Sequence, residues 1–306
     1  MYKNYFKTAF RNISRHKSFS IISIAGLTLG LTACILIGFF VWDENQYDKF
    51  IPGGEQVYRV YTDYKSSDGE NLMSVTPPMF ATTLNNDFPE VEQATRVMML
   101  PELKTLFETR KNKFYEQSGY FVDSTYFKVF PLLFKYGSPL KALDDAGSIV
   151  ISEYMSKRLF GNEDPVGKQI LMDKQAVLVK GVFIKNPKFH LQFNYLRALS
   201  SAIVTPERMQ SWGWNQFFTY VKVKKGTNVQ ALQTKFQYET KQKSESLKKQ
   251  FSISYTPLFQ KLKDIHLRSA NFKFDAAQRG NITYVNALII IAIFILLIAC
   301  FNFINL

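Results

Sequence analysis

Arg158 to Gln169 reads RLFGNEDPVGKQ, a glycine followed at a distance by Gly-Lys. Such a stretch invites a phosphate-binding loop and nucleotide hydrolysis. That motif needs four residues between its glycines, then Lys, then a Ser or Thr whose hydroxyl holds Mg²⁺. Here five residues intervene between Gly161 and Gly167, and Gln169 replaces the hydroxyl. Glu163 and Asp164 place negative charge where a phosphate would sit. The stretch reads instead as structure. Ser152 caps a helix running to Phe160, Gly161 ends it, Asn162 to Gly167 form a polar turn, and Lys168 begins a strand.

No other constellation of catalytic residues stands out. His16, His190 and His266 have no second ligand at metal-site spacing. No Gly-x-Ser-x-Gly elbow is present. The acids Asp144-Asp145 and Glu163-Asp164 are adjacent pairs in loops, and the run Lys241 to Lys249 (KQKSESLKK) reads as a solvated helix face. The expectation is a protein that is not itself an enzyme and needs no cofactor or metal.

The elements that must position any function are set by hydropathy. Ser18 to Trp42 holds no charge, and neither does Gly280 to Leu306. Each run is long enough for the roughly 20 apolar residues that cross a bilayer. The first lacks a signal-peptide cleavage site. Leu31-Thr32-Ala33-Cys34 resembles a lipoprotein processing box, but uncharged residues continue past it, which favours a retained membrane helix. The expected layout is an interfacial helix over residues 1–17, membrane helices over 18–42 and 284–306, and an external domain over 43–283.

Charge sets the orientation. Residues 1–42 carry five basic residues and no acid. Basic flanks stay in the cytoplasm, so the N-terminus is expected inside and residues 43–283 outside. The net charge of +13 leaves a diffuse +8 on the rest of the chain, without the basic stripe that binds nucleic acid. Both cysteines, Cys34 and Cys300, lie in the apolar runs, so the external domain is expected to hold together without disulfides.

Within that domain, Gln56 to Thr62 and Val91 to Leu100 read as strands around a helix that Pro77-Pro78 opens and Pro89 stops. Gln216 to Lys224 and Ser252 to Phe259 read as strands around a polar helix over 228–249. Two strand–helix–strand units can pair into one split α/β sandwich. Residues of about 104–210 read as a smaller inserted α/β lobe.

Two groups of residues concern the membrane. Gly26 and Gly30 share a helix face at the spacing that lets another helix approach, and Asn302 and Asn305 are costly in lipid and should face protein. At 100° per residue, Phe6 and Phe10 fall on an apolar arc opposite Lys3, Lys7, Arg11 and Arg15, the pattern of a helix lying on the inner leaflet.

In order along the chain, FKTAFRNISRHKSFSIISIAGLTLGL, ISEYMSKRLFGNEDPVGKQI, VKGVFIKNPKFHLQFNYL, SWGWNQFFTYVKVKKGTNVQAL and the final stretch from LKDIHLRSANF onward resemble the macrolide-exporter (MacB)/FtsX-type permease subunits of ATP-binding-cassette systems. The resemblance implies an α+β external domain with a porter-like lobe made from both ends of the segment and an inserted smaller lobe. It implies a separate cytoplasmic ATPase, a second permease chain, and a periplasmic adaptor or substrate protein as partners. The work would be mechanical: efflux, lipoprotein extraction or activation of cell-wall hydrolases. Permeases of this kind carry further membrane helices, so the chain is expected to be a fragment, truncated product or variant of a longer one. The competing expectation is a receptor with a sensor domain between two membrane helices.

Overall fold

The computed structural model describes residues 17–67, 69–99 and 104–304. They form two units, treated separately: residues 1–46 with 280–306, and residues 47–279. Helices of seven residues or more are numbered here.

The first unit, as described, is a pair of helices, α1 (Lys17–Glu44) and α6 (Ile282–Ile304). Each is long and apolar enough to cross a membrane.

The second unit is built on a 13-stranded sheet. Its first part is β1 (Val57–Ser66), α2 (Met79–Asp87) and β3 (Val91–Met99), with β2 (Gly69–Met73) as a short return along β1. The last part is β12 (Phe217–Val223), α3's successors α4 (Val229–Lys243) and α5 (Glu245–Phe251), and β13 (Ser254–Lys261), where α3 is Glu153–Phe160. The four main strands of these two parts lie in the order β13-β1-β12-β3, all antiparallel. This is the interleaving expected when two strand–helix–strand units share one sheet.

Alternation along these strands decides which face each side chain joins. Val60, Val221, Val223 and Ala94 face one way, where Phe80 and Leu84 of α2 and Leu232 and Phe236 of α4 cover them. Phe80 and Phe88 both meet the Phe236 ring edge-on. Phe218, Tyr220 and Val97 face the other way, into a second core with Tyr126, Phe130, Phe189 and Phe193.

Residues 105–198 fill the position of the insertion between β3 and β12. They add β4 (Thr105–Glu108), β5 (Lys113–Glu116), β6 (Gly119–Val122), β7 (Phe134–Gly137), β8 (Ser148–Ser152), β9 (Gln169–Met172), β10 (Gln175–Phe183) and β11 (Tyr195–Ala198). They are not a detached body: β6 pairs with Val97–Met99 of β3, so one sheet runs through both parts. A third core, including Phe107, Ile149, Met155 and Val179, packs α3 against this half.

Two local readings change in detail. The helix expected over 228–249 is two helices. Asn228 caps the first, its side chain accepting from the Ala231 N–H at 3.1 Å. The break falls at Ser244, whose hydroxyl bonds back to the Thr240 carbonyl at 2.8 Å and is buried, so the KQKSESLKK run is not wholly a solvated face. The strand expected over 252–259 begins two residues later.

Candidate functional site

The glycine-lysine stretch can be judged first. Ser152 accepts from the Met155 N–H at 3.2 Å, capping α3. Gly161 adopts φ +67°, available to glycine without a Cβ penalty, and donates to the Lys157 carbonyl. The N–H of Gly167 goes to the Val179 carbonyl at 2.9 Å, that of Lys168 to Pro165 at 3.0 Å, and that of Val166 to the Asp164 carboxylate at 2.9 Å. A phosphate cradle needs such N–H groups free and convergent; here they are consumed. Lys168 Nζ lies 2.5 Å from Glu163, and that bond holds the exposed Glu163 carboxyl below its ordinary range.

Within the helix pair, small and polar residues meet at the contact. A Cβ built on Gly30 would lie 3.2 Å from the Ala299 Cβ and 3.5 Å from Ile295, and one on Gly26 would lie 3.4 Å from Asn302 Nδ2. Asn302 donates to the Ser23 carbonyl at 2.9 Å, and the Cys34 thiol donates to the Ala292 carbonyl at 3.2 Å. The pairing descends α6 as it ascends α1, so the helices are antiparallel. Ser20, Ser23 and Ala299 are buried, whereas Leu29, Phe39, Ile298 and Phe301 are exposed. Asn305 and the proposed interfacial residues Lys3, Phe6, Lys7, Phe10, Arg11 and Arg15 lie outside the described residues.

A packing role for Gly30 leads to a direct expectation. Gly30→Leu should cut oxidative cross-linking between Cys34 and an Ala292→Cys partner several-fold, because the new side chain has no space against Ala299. Gly38→Leu should leave it unchanged, since a Cβ at Gly38 meets nothing within 4 Å. Equal cross-linking in both variants would remove the role.

The most unusual chemistry in the second unit is a buried polar row on the sheet face opposite α2 and α4. Gln260, Arg59 and Tyr220 are register partners across β13, β1 and β12. Arg59 is fully buried. Its Nη1 donates to both oxygens of Asp275 at 2.8 and 2.9 Å, and its Nη2 to Gln260 Oε1 at 2.7 Å and Ser269 Oγ at 2.8 Å. The Phe272 ring lies 4.8 Å from the guanidinium carbon. Four bonds on a planar fork fix position and orientation together.

The row continues through Tyr220. Its hydroxyl lies 2.8 Å from His190 Nε2, and His190 Nδ1 lies 2.8 Å from Asp48 Oδ1. With the ring proton on Nδ1, the imidazole donates to Asp48 and accepts from Tyr220. The His190 backbone N–H adds a second bond to the same oxygen at 3.0 Å. Asp48 itself takes φ +61°, a conformation that Asp tolerates better than most residues. Burial pushes the Tyr220 and Tyr126 hydroxyls well above their ordinary range, and the Tyr120 hydroxyl up to about 12.

An Asp-His-Tyr chain has the form of a proton relay, but no substrate could reach its imidazole or its phenol: His190 and Tyr220 are 0% exposed. What the row can do is hold. Asp48 follows α1 by four residues, and Asp275 precedes α6 by seven. Both chain segments next to the apolar helices are thus tied to one sheet face. Two further contacts reinforce this. Tyr47 stacks on His266 with ring centroids 3.4 Å apart, and Ser74 Oγ donates to the Phe274 carbonyl at 2.7 Å.

Sequence reasoning missed this row. Its bonded partners lie up to 216 residues apart, and His190 offers the sequence only a lone candidate metal ligand. The available hint was Arg59, a charge inside VYRVY.

Comparison with known proteins agrees with this architecture. No curated protein matches the chain. Among solved structures, a domain assigned to a permease protein from Porphyromonas gingivalis aligns with TM-score 0.60 at 19% identity, over 79% of this chain and 99% of that one. The periplasmic region of MacB from Actinobacillus actinomycetemcomitans aligns with TM-score 0.49 at 18% identity, over 71% and 94% of the two chains. The extracellular domain of the noncanonic ABC-type transporter YknZ from Gram-positive bacteria aligns with TM-score 0.46 at 16% identity, over 67% and 99%. At such identities the likeness of the first shows a shared fold. The family profile of the MacB-like periplasmic core domain matches residues 20–238. That is well over half of the 306 residues, and the chain belongs to the MacB-like periplasmic core domain family.

Proposed function

We propose that this chain is a permease subunit that passes motion from a separate cytoplasmic ATPase to its external domain. The observation that carries the proposal is a MacB-like domain placed in the chain between two helices long enough to cross a membrane. The buried row supports it, because a moving helix can direct a domain only through a stiff connection. The catalytic step of ATP hydrolysis belongs to the partner; this chain supplies the moving element. A second permease chain would complete the membrane part, and the exposed apolar sides of α1 and α6 would meet lipid or further helices. The external domain would act on a periplasmic adaptor or substrate protein. The N-terminus is placed in the cytoplasm by its basic flank. By the same reading, residues 2–17 would lie on the inner leaflet, near the ATPase.

Topology tests the core of this reading. Single cysteines at Ser67 and Lys248, both exposed, are placed in a chain whose Cys34 and Cys300 are replaced by Ala. Both should react with an impermeant thiol reagent in intact spheroplasts. Reaction only after lysis would reverse the orientation and end the proposal. With orientation established, co-purification with an ATPase encoded beside it is the next expected result.

A further inference from the structure

We infer that the surface cavity beside Asp48 is a binding site for a zwitterionic ammonium–phosphodiester group, the chemistry of a phosphoethanolamine headgroup. The cavity, of about 320 Å³, is lined among others by Asp48, Lys49, Glu55, Tyr58, Lys261 and Lys263. Its volume falls in the range of small-ligand sites.

Groups of both signs line the cavity. Lys49, Lys261 and Lys263 are exposed, and none has a carboxylate partner among the described residues. Glu55 is likewise exposed and unpaired. Asp48 supplies an independent observation: it is 3% exposed, and its Oδ2 is buried without a hydrogen-bond partner. A carboxylate oxygen left so is costly unless a cation or donor approaches it.

A simple anion would gain from the lysines but meet two carboxylates. A simple cation would meet three ammonium groups. A ligand carrying both charges satisfies both sets: its phosphodiester accepts from the lysines, and its ammonium faces Glu55 and Asp48. The partly exposed Tyr58 ring offers the ammonium a π-face as well.

The position favours a lipid as the source, and this part rests on the membrane reading above. Asp48 is four residues beyond Glu44, the end of α1. Four residues span at most about 14 Å when extended. Trp42, an amphipathic residue common at membrane surfaces, stands just before that end. The same zwitterion in soluble form would satisfy the side chains equally, so the experiment must separate the two.

The full chain in nanodiscs of phosphatidylglycerol is titrated calorimetrically with glycerophosphoethanolamine and with glycerophosphoglycerol, a phosphodiester that lacks the ammonium. Saturable binding of the first, and binding of the second weaker by about tenfold, is expected. Glu55→Gln should remove that preference. The double variant Lys261→Gln/Lys263→Gln should weaken both compounds by about tenfold. All three positions are exposed, so these variants should fold, which a melt verifies. Equal affinity for the two compounds, or binding unchanged in the variants, overturns the assignment. The source is read by native mass spectrometry of chains released from nanodiscs of mixed phosphatidylethanolamine and phosphatidylglycerol. Retained phosphatidylethanolamine, lost in the variants, supports a lipid headgroup. Soluble binding without retained lipid supports a soluble zwitterion. The soluble titration does not depend on orientation, so a failed topology experiment and a failed site give different results.

Discussion

Replacing Arg59 with Met while Asp275 remains is expected to destabilise the 47–279 unit by about 3–5 kcal/mol. Asp275 is 1% exposed in its side chain, and Arg59 meets both of its oxygens. Removing the guanidinium leaves a buried carboxylate with the Ala277 N–H, at 3.0 Å, as its remaining donor among the described residues. It also leaves Gln260 and Ser269 short of a partner. For a unit of this size the loss corresponds to a fall in Tm of about 10 °C, readable by circular dichroism on the detergent-solubilised chain. The double variant Arg59→Met/Asp275→Leu should recover much of it, because removing both charges removes the desolvation cost together with the attraction. A single variant that melts with the parent would mean the row carries no load. Domain melting should be insensitive to reductant in every variant, since both cysteines lie in the helix pair and are free.

The second large effect is expected at high pH. Tyr120, Tyr126 and Tyr220 lie together in the core on the Arg59 face of the sheet. Burial is the first cause of the raised pKa of each; neighbouring Asp48 or Asp275 adds to it, while Arg59 partly opposes it at Tyr220. For an acid whose folded pKa is raised, the contribution to stability is intact below the unfolded pKa, near 10, and is lost as pH climbs toward the folded pKa. Each such group costs about 1.4 kcal/mol per pH unit in that interval. Three together cost about 4 kcal/mol per unit, enough to exhaust a typical domain's stability between about pH 10 and 12. Tyrosinate absorbance should therefore rise in one cooperative step that coincides with loss of ellipticity. Tyr126→Phe should move that step upward, because the Tyr126 hydroxyl is buried without a partner and the variant loses only a group that must ionise. A gradual rise without unfolding would show that water reaches these rings.

What could be read in advance follows from the range of each physical signal. Pro77-Pro78 and Pro89 bracket α2 by local sterics, Ser152 opens α3 by a capping hydrogen bond and Gly161 closes it by its positive φ, and alternation marks β1, β3 and β12. These cues act within a few residues, so both strand–helix–strand units were legible. The order β13-β1-β12-β3 was legible only as a possibility, since interleaving depends on contacts between distant strands. The joining of β6 to β3, which makes the insertion continuous with the rest, had no local sign. Neither did the break at Ser244, where no Gly or Pro stands and a hydroxyl-to-carbonyl bond accompanies the interruption. The buried row was least legible. Arg59 alternates like any strand residue, and a solvated side chain is the ordinary expectation for Arg. Its partners Gln260, Ser269 and Asp275 are supplied only when the chain returns.

The antiparallel register of β1 with β13 has a mechanical consequence. The chain enters the sheet at Val57 and leaves it at Lys261, and Tyr58 pairs with Lys261, so both attachment points sit at the same end of a ladder of eight register pairs. A pull that draws the two points apart loads the ladder in unzipping geometry, where rungs of about 1 kcal/mol yield one after another. A pull that draws both points the same way moves the two strands together and puts little differential load on the ladder between them. The fold is thus intrinsically weak toward differential tension and strong toward common tension. Arg59–Gln260 is the second rung from the loaded end, and the guanidinium there grips Asp275 as well as Gln260. It stands where a rip would start, like a rivet at the mouth of a seam.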